Sequence, residues 1–528
     1  MTSSAARRTS PDHEETSWPR GIPYIIGNEG CERFSFYGMR SILFVYIVDL
    51  YTQSGHFGGG IDDLATAHYH LFTAGVYALP MIGAIIADRL LGKYRTIIYL
   101  SLVYCLGHAV LAVTEGSIYG LWAGLGLIAV GSGGIKPCVS AHVGDQFGRG
   151  NWFRLRSVYQ IFYFIINLGA MISMLLIPWL LDRYGASVAF ALPGILMFIA
   201  TAAFWAGRNV FIHVPAQPAG RLGMLDTLSS VALFMSVGHL FFTGAAGVEV
   251  VAAATVGFLA LGVLLFAWRQ RISPDDGFLT VMLYSIGRFL KARAGERPSF
   301  FAPAVERFGR ETAEGPIAVL KIGSVFLLVS VFWALFDQTG SSWVRLAQMM
   351  DPRIWGDIEA LPSQIQALNP FLVMVLIPLA NLAVFPAVER LGIRATPLRR
   401  MTAGMLIASV SFVVVALIQI RIEASPAQSV NVAWQLIPYL IITFSEILVS
   451  ITGLEFAYSQ APRRMKSTIM GFWLLAVALG NVLVSLLAGL ARLPLIDFFW
   501  LFAVLMLLSG VLFGIRAYFY EAQDFVQQ

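Results

Sequence analysis

The sequence predicts an all-α integral membrane protein with fourteen transmembrane helices. Three observations carry this prediction. The 528 residues are 57% hydrophobic and only 13% charged, whereas ordinary soluble domains carry about 25% charged residues. Mean hydropathy is +0.71. Apolar runs of about 20 residues, the length a helix needs to cross a bilayer, recur along the whole chain. A chain this apolar has no means of hiding its surface from water, so lipid is its solvent. The formal net charge of +5 is small for the length and fits basic cytoplasmic loops rather than a nucleic-acid surface. Cys31, Cys105 and Cys138 lie in or beside apolar runs, so no disulfide framework is expected.

The N-terminal arm, MTSSAARRTSPDHEETSWPRG, is polar and lacks an apolar stretch. It reads as a disordered tail and not as a cleaved signal peptide. Candidate spans follow near 24–50, 68–90, 96–115, 119–138, 157–177, 187–206, 226–243, 250–268, 317–338, 369–389, 399–420, 433–457, 467–490 and 497–518. The segments VALFMSVGHLFF and VVAAATVGFLALGVLLFAW are the purest hydrocarbon and have almost no polar face. They read as passive helices added between two halves. GFLTVMLYSIGRFLKARAG, residues 277–295, reads as an amphipathic cytoplasmic helix.

Six spans before the extra pair and six after it suggest a duplicated design, which places substrate near the midplane between halves. The expected parts are a cytoplasmic tail at 1–22, a six-helix bundle at 23–215 and an inserted two-helix pair at 216–272. A cytoplasmic linker at 273–314, a second six-helix bundle at 315–520 and a tail at 521–528 complete the chain.

Lys and Arg in the loops set orientation. Arg89, Lys93 and Arg95, then Arg149, Arg154 and Arg156, Arg208 and Arg221, Arg390, Arg394, Arg399 and Arg400, and Arg463, Arg464 and Lys466 fall in alternate connections. Arg288, Lys291 and Arg293 join them in the linker. The opposite loops offer Asp62, Asp63, Glu115, Asp351, Asp357 and Glu359. Both termini are therefore expected in the cytoplasm.

A charge at the centre of a membrane helix costs at least about 2.5–3.5 kcal/mol, so it is expected to face a partner or a cavity. GNEGCERFSFYGMRS, residues 27–41, carries Glu29, Glu32, Arg33 and Arg40. Helical spacing puts Glu29, Glu32 and Arg33 on one face, with Tyr37 one turn on. This is either a polar stripe lining a cavity or an ion pair near the headgroups. Lys136, in GSGGIKPCVSAHVGDQF, lies among glycines that permit close helix approach, and Pro137 after it is expected to break the helix. It is either a site cation or a snorkelling lysine.

Glu446 has apolar flanks on both sides and is the most expensive charge in the chain. Beside Lys136 it would act as a proton switch. Asp337 sits in FWALFDQTGSSW. His70 is a candidate proton relay or simply a satisfied polar residue. Trp333 and Trp473 lie inside spans as packing or cavity aromatics. GAIIADRLLGKYR, residues 83–95, reads as a gate hinge that latches neighbouring helices. No phosphate-binding GxxxxGK[ST] loop, HExxH or CxxC metal site, or spaced Ser/His/Asp hydrolase motif occurs. An ATP-driven pump, a metal or cofactor site and an enzyme are accordingly not expected.

EGCERFSFYGMR resembles the ExxERFxYY motif of the proton-dependent oligopeptide transporters, a family of the major facilitator superfamily. GGIKPCVSAHVGDQF and FYFIINLGAMIS look like its fourth- and fifth-helix signatures. FWALFDQTGS, GLEFAYSQAPRRMKS and WLLAVALGN match its seventh, tenth and eleventh helices, and residues 83–95 resemble the superfamily loop motif. The likeness covers helices 1 to 11 in order.

It implies a proton-coupled symporter of the major facilitator fold, importing di- and tripeptides by alternating access. Relatives that carry nitrate or another small solute supply the alternative. Glu29, Glu32, Arg33, Lys136 and Glu446 match positions implied in proton coupling. Arg33, Tyr37, Tyr77, Lys136, Asn167, Trp333, Asn369, Glu446, Ser450 and Trp473 match positions lining the peptide site. Arg33 and Lys136 would meet the peptide carboxylate and Glu446 its amino terminus. Arg40 and Asp337 match a pair that closes the external side.

Phe36 stands where the motif has Tyr, so one hydroxyl contact is missing. Ala170 replaces a Ser, and Asn381 replaces an Asp that would partner Lys321. His70 matches a histidine of animal members. The extra helix pair and the short 421–432 loop point to a bacterial inner membrane. The partners implied are peptide, protons and the bilayer, with no nucleic acid, and a monomer is expected.

Overall fold

Proline opens the first helix and glycine closes it. Helix α1, Ile22–Ser54, has Pro23 in its first turn, where a missing N–H costs nothing. It stops at Gly55, whose φ of 64° is the left-handed conformation a side chain resists. Its 33 residues span about 50 Å at 1.5 Å each, longer than a bilayer core of about 30 Å. The structure is a computed structural model that describes residues 8–55, 60–241, 247–291, 299–392, 395–460 and 466–520. The expected loop cations Arg293, Arg394, Arg463 and Arg464, the side chain of Lys466, and the tail at 521–528 lie outside what is described.

The other long helices follow in order. They are α2 (Ile61–Leu91), α3 (Lys93–Val113), α4 (Ile118–Asp145), α5 (Leu155–Tyr184) and α6 (Ala186–Ala206). Next come α7 (Gly220–Gly238), α8 (Val248–Ile272) and α9 (Phe278–Lys291). The last six are α10 (Arg310–Phe336), α11 (Pro362–Arg390), α12 (Pro397–Glu423), α13 (Val432–Ala457), α14 (Lys466–Ala491) and α15 (Leu495–Tyr518). Twelve helical segments among the described residues are long and apolar enough to cross a membrane. The charged α1 and the polar-punctuated α7 are not among those twelve. A two-stranded ribbon, β1 (Arg353–Trp355) with β2 (Ile358–Glu359), is the only sheet among the described residues.

Two apolar cores form. One is built from residues 22–211, around Phe36, Phe44, Tyr51, Tyr104 and Phe190, and takes in Val344. The other is built from residues 319–513, around Phe332, Trp343, Phe412, Tyr439 and Phe502, and takes in Ala67. Helices approach closely where glycines face each other: a Cβ on Gly83 of α2 would sit 2.4 Å from the Gly134 Cα of α4. Three single-turn π segments interrupt the helices, at Ala87–Leu91, Ala380–Val384 and Ile447–Ile451. Such bulges shift the face that the following residues present.

Three expectations change. Pro137 does not break its helix; α4 runs through it to Asp145. A proline removes one backbone bond, and packing against neighbouring helices holds the rest. The N-terminal arm is docked over residues 8–21. The Gly150 N–H donates to the His13 carbonyl at 2.9 Å, the His213 N–H to the Arg8 carbonyl at 2.8 Å, and Arg154 Nε to the Thr16 carbonyl at 2.8 Å.

The inserted pair α7–α8 is not without polar contacts. Asp226 on α7 takes Arg269 Nε of α8 at 2.6 Å and Arg89 of the α2 π segment at 3.5 Å. Apart from that, α8 is almost uncovered, as a helix facing acyl chains would be. The expected amphipathic helix is α9, which meets α14 through Phe278 and Phe472. Lys93 grips Asp145 at 2.8 Å, so the 83–95 motif does latch neighbouring helices. All three cysteines are free thiols.

Candidate functional site

The stripe on α1 forms as its spacing requires. Arg33 Nε lies 2.7 Å from Glu29 Oε1 and 3.3 Å from Glu32 Oε2, and both carboxylates are buried. Ser132 of α4 donates to Glu32 Oε1 at 3.2 Å. One turn beyond Ser132 stands Lys136. Its ammonium lies 3.8 Å from the Phe36 ring centre and 4.5 Å from that of Tyr77. It has no hydrogen-bond partner among the described residues. Two aromatic faces therefore take the place of a counter-ion. Phe36, the departure from the family motif, supplies a ring face to the lysine.

The expected pair between Lys136 and Glu446 does not form. Glu446 of α13 instead accepts from Asn369 Nδ2 at 2.8 Å, and Asn369 also donates to Thr443 at 3.1 Å. Each charge is held by its own half: the carboxylate by an amide, the ammonium by aromatic rings. Ser450 lies one turn past Glu446 in the π segment Ile447–Ile451. Trp333 and Trp473 are buried and meet edge-on at 6.1 Å, with Phe326 against Trp473 at 5.0 Å. The Trp333 Nε1 has no partner among the described residues. Asn167 of α5 donates to the Tyr163 carbonyl at 2.9 Å. Tyr37 packs edge-on against Phe36 at 5.5 Å.

Arg40 and Asp337 do meet, at 2.5 Å, in a buried network that joins the two halves. Arg40 Nε donates to the Tyr69 hydroxyl at 2.8 Å, and Asn481 Nδ2 donates to Asp337 Oδ2 at 2.6 Å. His70 Nδ1 faces Asn481 Oδ1 at 2.7 Å and its Nε2 faces the Ser341 hydroxyl at 2.8 Å. The carbonyl oxygen of Asn481 only accepts, so Nδ1 carries the proton and Nε2 accepts from Ser341. His70 is thus a satisfied member of the network. Closer to solvent, Arg345 reaches Asp62 at 3.1 Å and Asp63 at 2.9 Å. Gln366 donates to the Ser41 carbonyl at 3.0 Å, and Gln364 to that of Leu175 at 2.7 Å. These bonds gather at the end of α1 away from Ile22 and close the halves together there.

Sequence reasoning missed Ser132, Tyr69, Asn481, Ser341 and the Arg345 latch. Asn481 ends the WLLAVALGN stretch and was visible as a polar residue inside a span. The others are ordinary polar residues whose partners lie far along the chain.

The helices and their buried charges define a multi-pass, all-helical membrane protein. The POT family profile matches residues 94–261 and 306–500. The chain belongs to that family. It is 35% identical over 420 residues to peptide transporter family 1 of Drosophila melanogaster, covering 77% of this chain and 48% of that one. It is 31% identical over 443 residues to human solute carrier family 15 member 2, covering 80% and 52%. The chain thus spans about half the length of these curated relatives. Among solved structures, an auto-inhibited POT family peptide transporter superposes with a TM-score of 0.77 at 36% identity, covering 97% of this chain and 99% of the other. The POT family transporter PepTSo superposes with a TM-score of 0.75 at 38% identity, covering 96% and 99%.

Proposed function

We propose that the protein is a proton-coupled symporter that imports di- and tripeptides by alternating access, and not an enzyme. The observation that carries this reading is the Lys136 ammonium, buried without a hydrogen-bond partner beside Arg33, with Glu446 in the opposite half. A short peptide has one anionic and one cationic end. Its carboxylate suits Arg33 and Lys136, and its ammonium suits Glu446. Tyr37, Tyr77, Asn167, Trp333, Asn369, Ser450 and Trp473 line the site in this scheme and accept varied side chains.

Glu29, Glu32 and Glu446 take protons from the outer side, and Arg40 with Asp337 forms the outer gate. Each charge moved through 100 mV of membrane potential gains about 2.3 kcal/mol. The architecture is two six-helix bundles, 23–215 and 315–520, with an inserted pair at 216–272 and a linker at 273–314. That makes fourteen spans, with α1 and α7 counted beside the twelve strongly apolar segments. The protein acts as a monomer in a bacterial inner membrane, with both termini cytoplasmic.

Uptake of labelled dialanine into proteoliposomes, with and without an imposed pH gradient, tests this reading. Saturable accumulation that requires the gradient is expected. Gradient-driven nitrate uptake with no dialanine uptake overturns the peptide assignment and leaves the fold in place.

A further inference from the structure

A second polar cluster lies behind the stripe, on the face of α1 turned into its own half. Asn28, Glu32 and Ser35 follow one another at turn spacing on α1, and all three are buried. Ser101, Tyr104 and His108 do the same on α3, and all three have no exposed surface. Both helices start on the same side of the membrane. Asn28, Glu32 and Ser35 lie about 9, 15 and 20 Å along α1, and Ser101, Tyr104 and His108 about 12, 16 and 22 Å along α3, at 1.5 Å per residue. The two stripes meet where Ser35 bonds His108 and where Tyr104 lies near Glu32.

One bond links the two stripes, and two others tie them to their surroundings. The Ser35 hydroxyl and His108 Nε2 are 3.1 Å apart, and His108 Nδ1 faces the Phe190 carbonyl of α6 at 3.1 Å. A carbonyl only accepts, so Nδ1 carries the proton and Nε2 accepts from Ser35. Ser132 of α4 bonds the near oxygen of Glu32. Glu32 Oε2 has only the Arg33 ion pair at 3.3 Å, and the remaining atoms are left over: Asn28 Oδ1 and Nδ2, Ser101 Oγ and the Tyr104 hydroxyl are all buried with no hydrogen-bond partner among the described residues.

A buried polar group without a partner is costly to the fold. Four such atoms on the two stripes, with donors and acceptors mixed, need a ligand small enough to share. Water supplies both roles and typically makes about three bonds to such groups. An apolar ligand satisfies none of them. A bare cation satisfies the oxygens and leaves the Asn28 amide donor stranded.

We infer that Asn28, Glu32, Ser35, Ser101, Tyr104 and His108 enclose a water-binding chamber inside the N-terminal half, separate from the peptide site, through which protons pass between Glu32 and His108. The transfer leaves a carboxylate at Glu32 and an imidazolium at His108. A proton leaves the Glu32 carboxyl for chamber water, and one arrives at Nε2 through the Ser35 hydroxyl, whose bond to the ring then reverses. The charged groups that face Glu32 are Arg33, with Glu29 on its far side, and Lys136 of α4. The ring of His108 meets Tyr104 at 4.9 Å, the Phe190 carbonyl and the backbone at Gly194. The proton role rests on the transport reading above; the water does not.

X-ray hydroxyl-radical footprinting of the full chain in lipid nanodiscs reads the water directly, because radicals formed from bound water label the adjacent ring. Tyr439 is similarly inaccessible, packs edge-on against Trp343 at 4.9 Å and has its hydroxyl bonded to the Thr339 carbonyl, so it serves as the dry control. Tyr104 is expected to be labelled well above Tyr439, and Asn28→Leu with Ser101→Ala is expected to abolish the excess. Labelling of wild-type Tyr104 at the Tyr439 rate overturns the chamber. The same double variant is expected to lower gradient-driven dialanine accumulation relative to counterflow. An unchanged ratio overturns the proton role. Absence of any dialanine transport by the wild type defeats the transport reading and leaves the footprint to stand or fall by itself.

Discussion

Replacing Asp337 by Ala removes the buried centre of the outer latch. Arg40 would then keep only the Tyr69 hydroxyl, and Asn481 Nδ2 only the Val477 carbonyl. Stranding one member of a buried ion pair costs about 3–5 kcal/mol. The cost falls on the closed arrangement alone, because separating the halves returns Arg40 to water. At about 1.4 kcal/mol per tenfold, the ratio of closed to open forms drops by about a hundredfold or more. The Arg345 latch to Asp62 and Asp63 does not compensate. Its side chains are 23–39% exposed, and pairs of that kind contribute about 0–1 kcal/mol.

Spin labels at Thr52 and Asp357, in a background with Cys31, Cys105 and Cys138 replaced, report the outer separation by double electron–electron resonance. Asp337→Ala is expected to move the distribution to longer distances, whereas Arg345→Ala leaves it nearly in place. Arg40→Met with Asp337→Leu is expected to restore the short distances, since no charge is then stranded. Unchanged distances in Asp337→Ala, with a large change in Arg345→Ala, would refute the assignment of the closing energy to the buried pair.

Phe36→Leu removes the nearer aromatic face from Lys136 at a cost of about 2 kcal/mol for a desolvated contact; dialanine binding is expected to weaken, while Phe36→Tyr retains it, as titration calorimetry would show. Asn369→Leu takes away the donor to Glu446, a charged bond of about 1.5–3 kcal/mol. Gradient-driven accumulation is expected to fail with counterflow partly kept, as for Glu446→Gln, and accumulation against a gradient in either variant would remove Glu446 from coupling. Gly83→Ala pushes a methyl into the backbone of Gly134 and is expected to destabilise by about 1–3 kcal/mol, measured as a lower unfolding temperature in detergent.

Glu115, outside the spans, accepts from the Ser187 hydroxyl at 2.6 Å and from the Ala186 and Ser187 N–H groups at 3.2 Å, and chiefly the hydroxyl bond holds its carboxyl below the ordinary range. A depressed folded-state pKa contributes stability above the unfolded value of about 4.3, lost as pH falls through the folded one. The stability advantage over Glu115→Gln should therefore be present at neutral pH and vanish only below pH of about 4. An advantage that disappears above pH 5 would contradict this.

Helix content and membrane location were legible from local chemistry. Hydropathy over about 20 residues reports a span because the bilayer core has a fixed thickness. The Glu29–Glu32–Arg33 stripe was legible for a similar reason, since 3.6-residue periodicity fixes which side chains share a face. The N-terminal arm and Pro137 were misjudged because each depends on neighbours. Backbone donors of the 150 and 213 regions hold the arm in place, and packing carries α4 through its proline.

The sequence by itself determined which residues lie in lipid and that several of them are too costly to face it. The tertiary structure alone decided their partners. Lys136 rests on Phe36 and Tyr77 and not against Glu446, and Asp337 gathers Arg40 and Asn481 from helices far apart in the chain. Periodicity along one helix sets the direction of a side chain, but its partner is chosen by how separate helices cross, and crossing depends on small residues and bulges distributed over the whole chain.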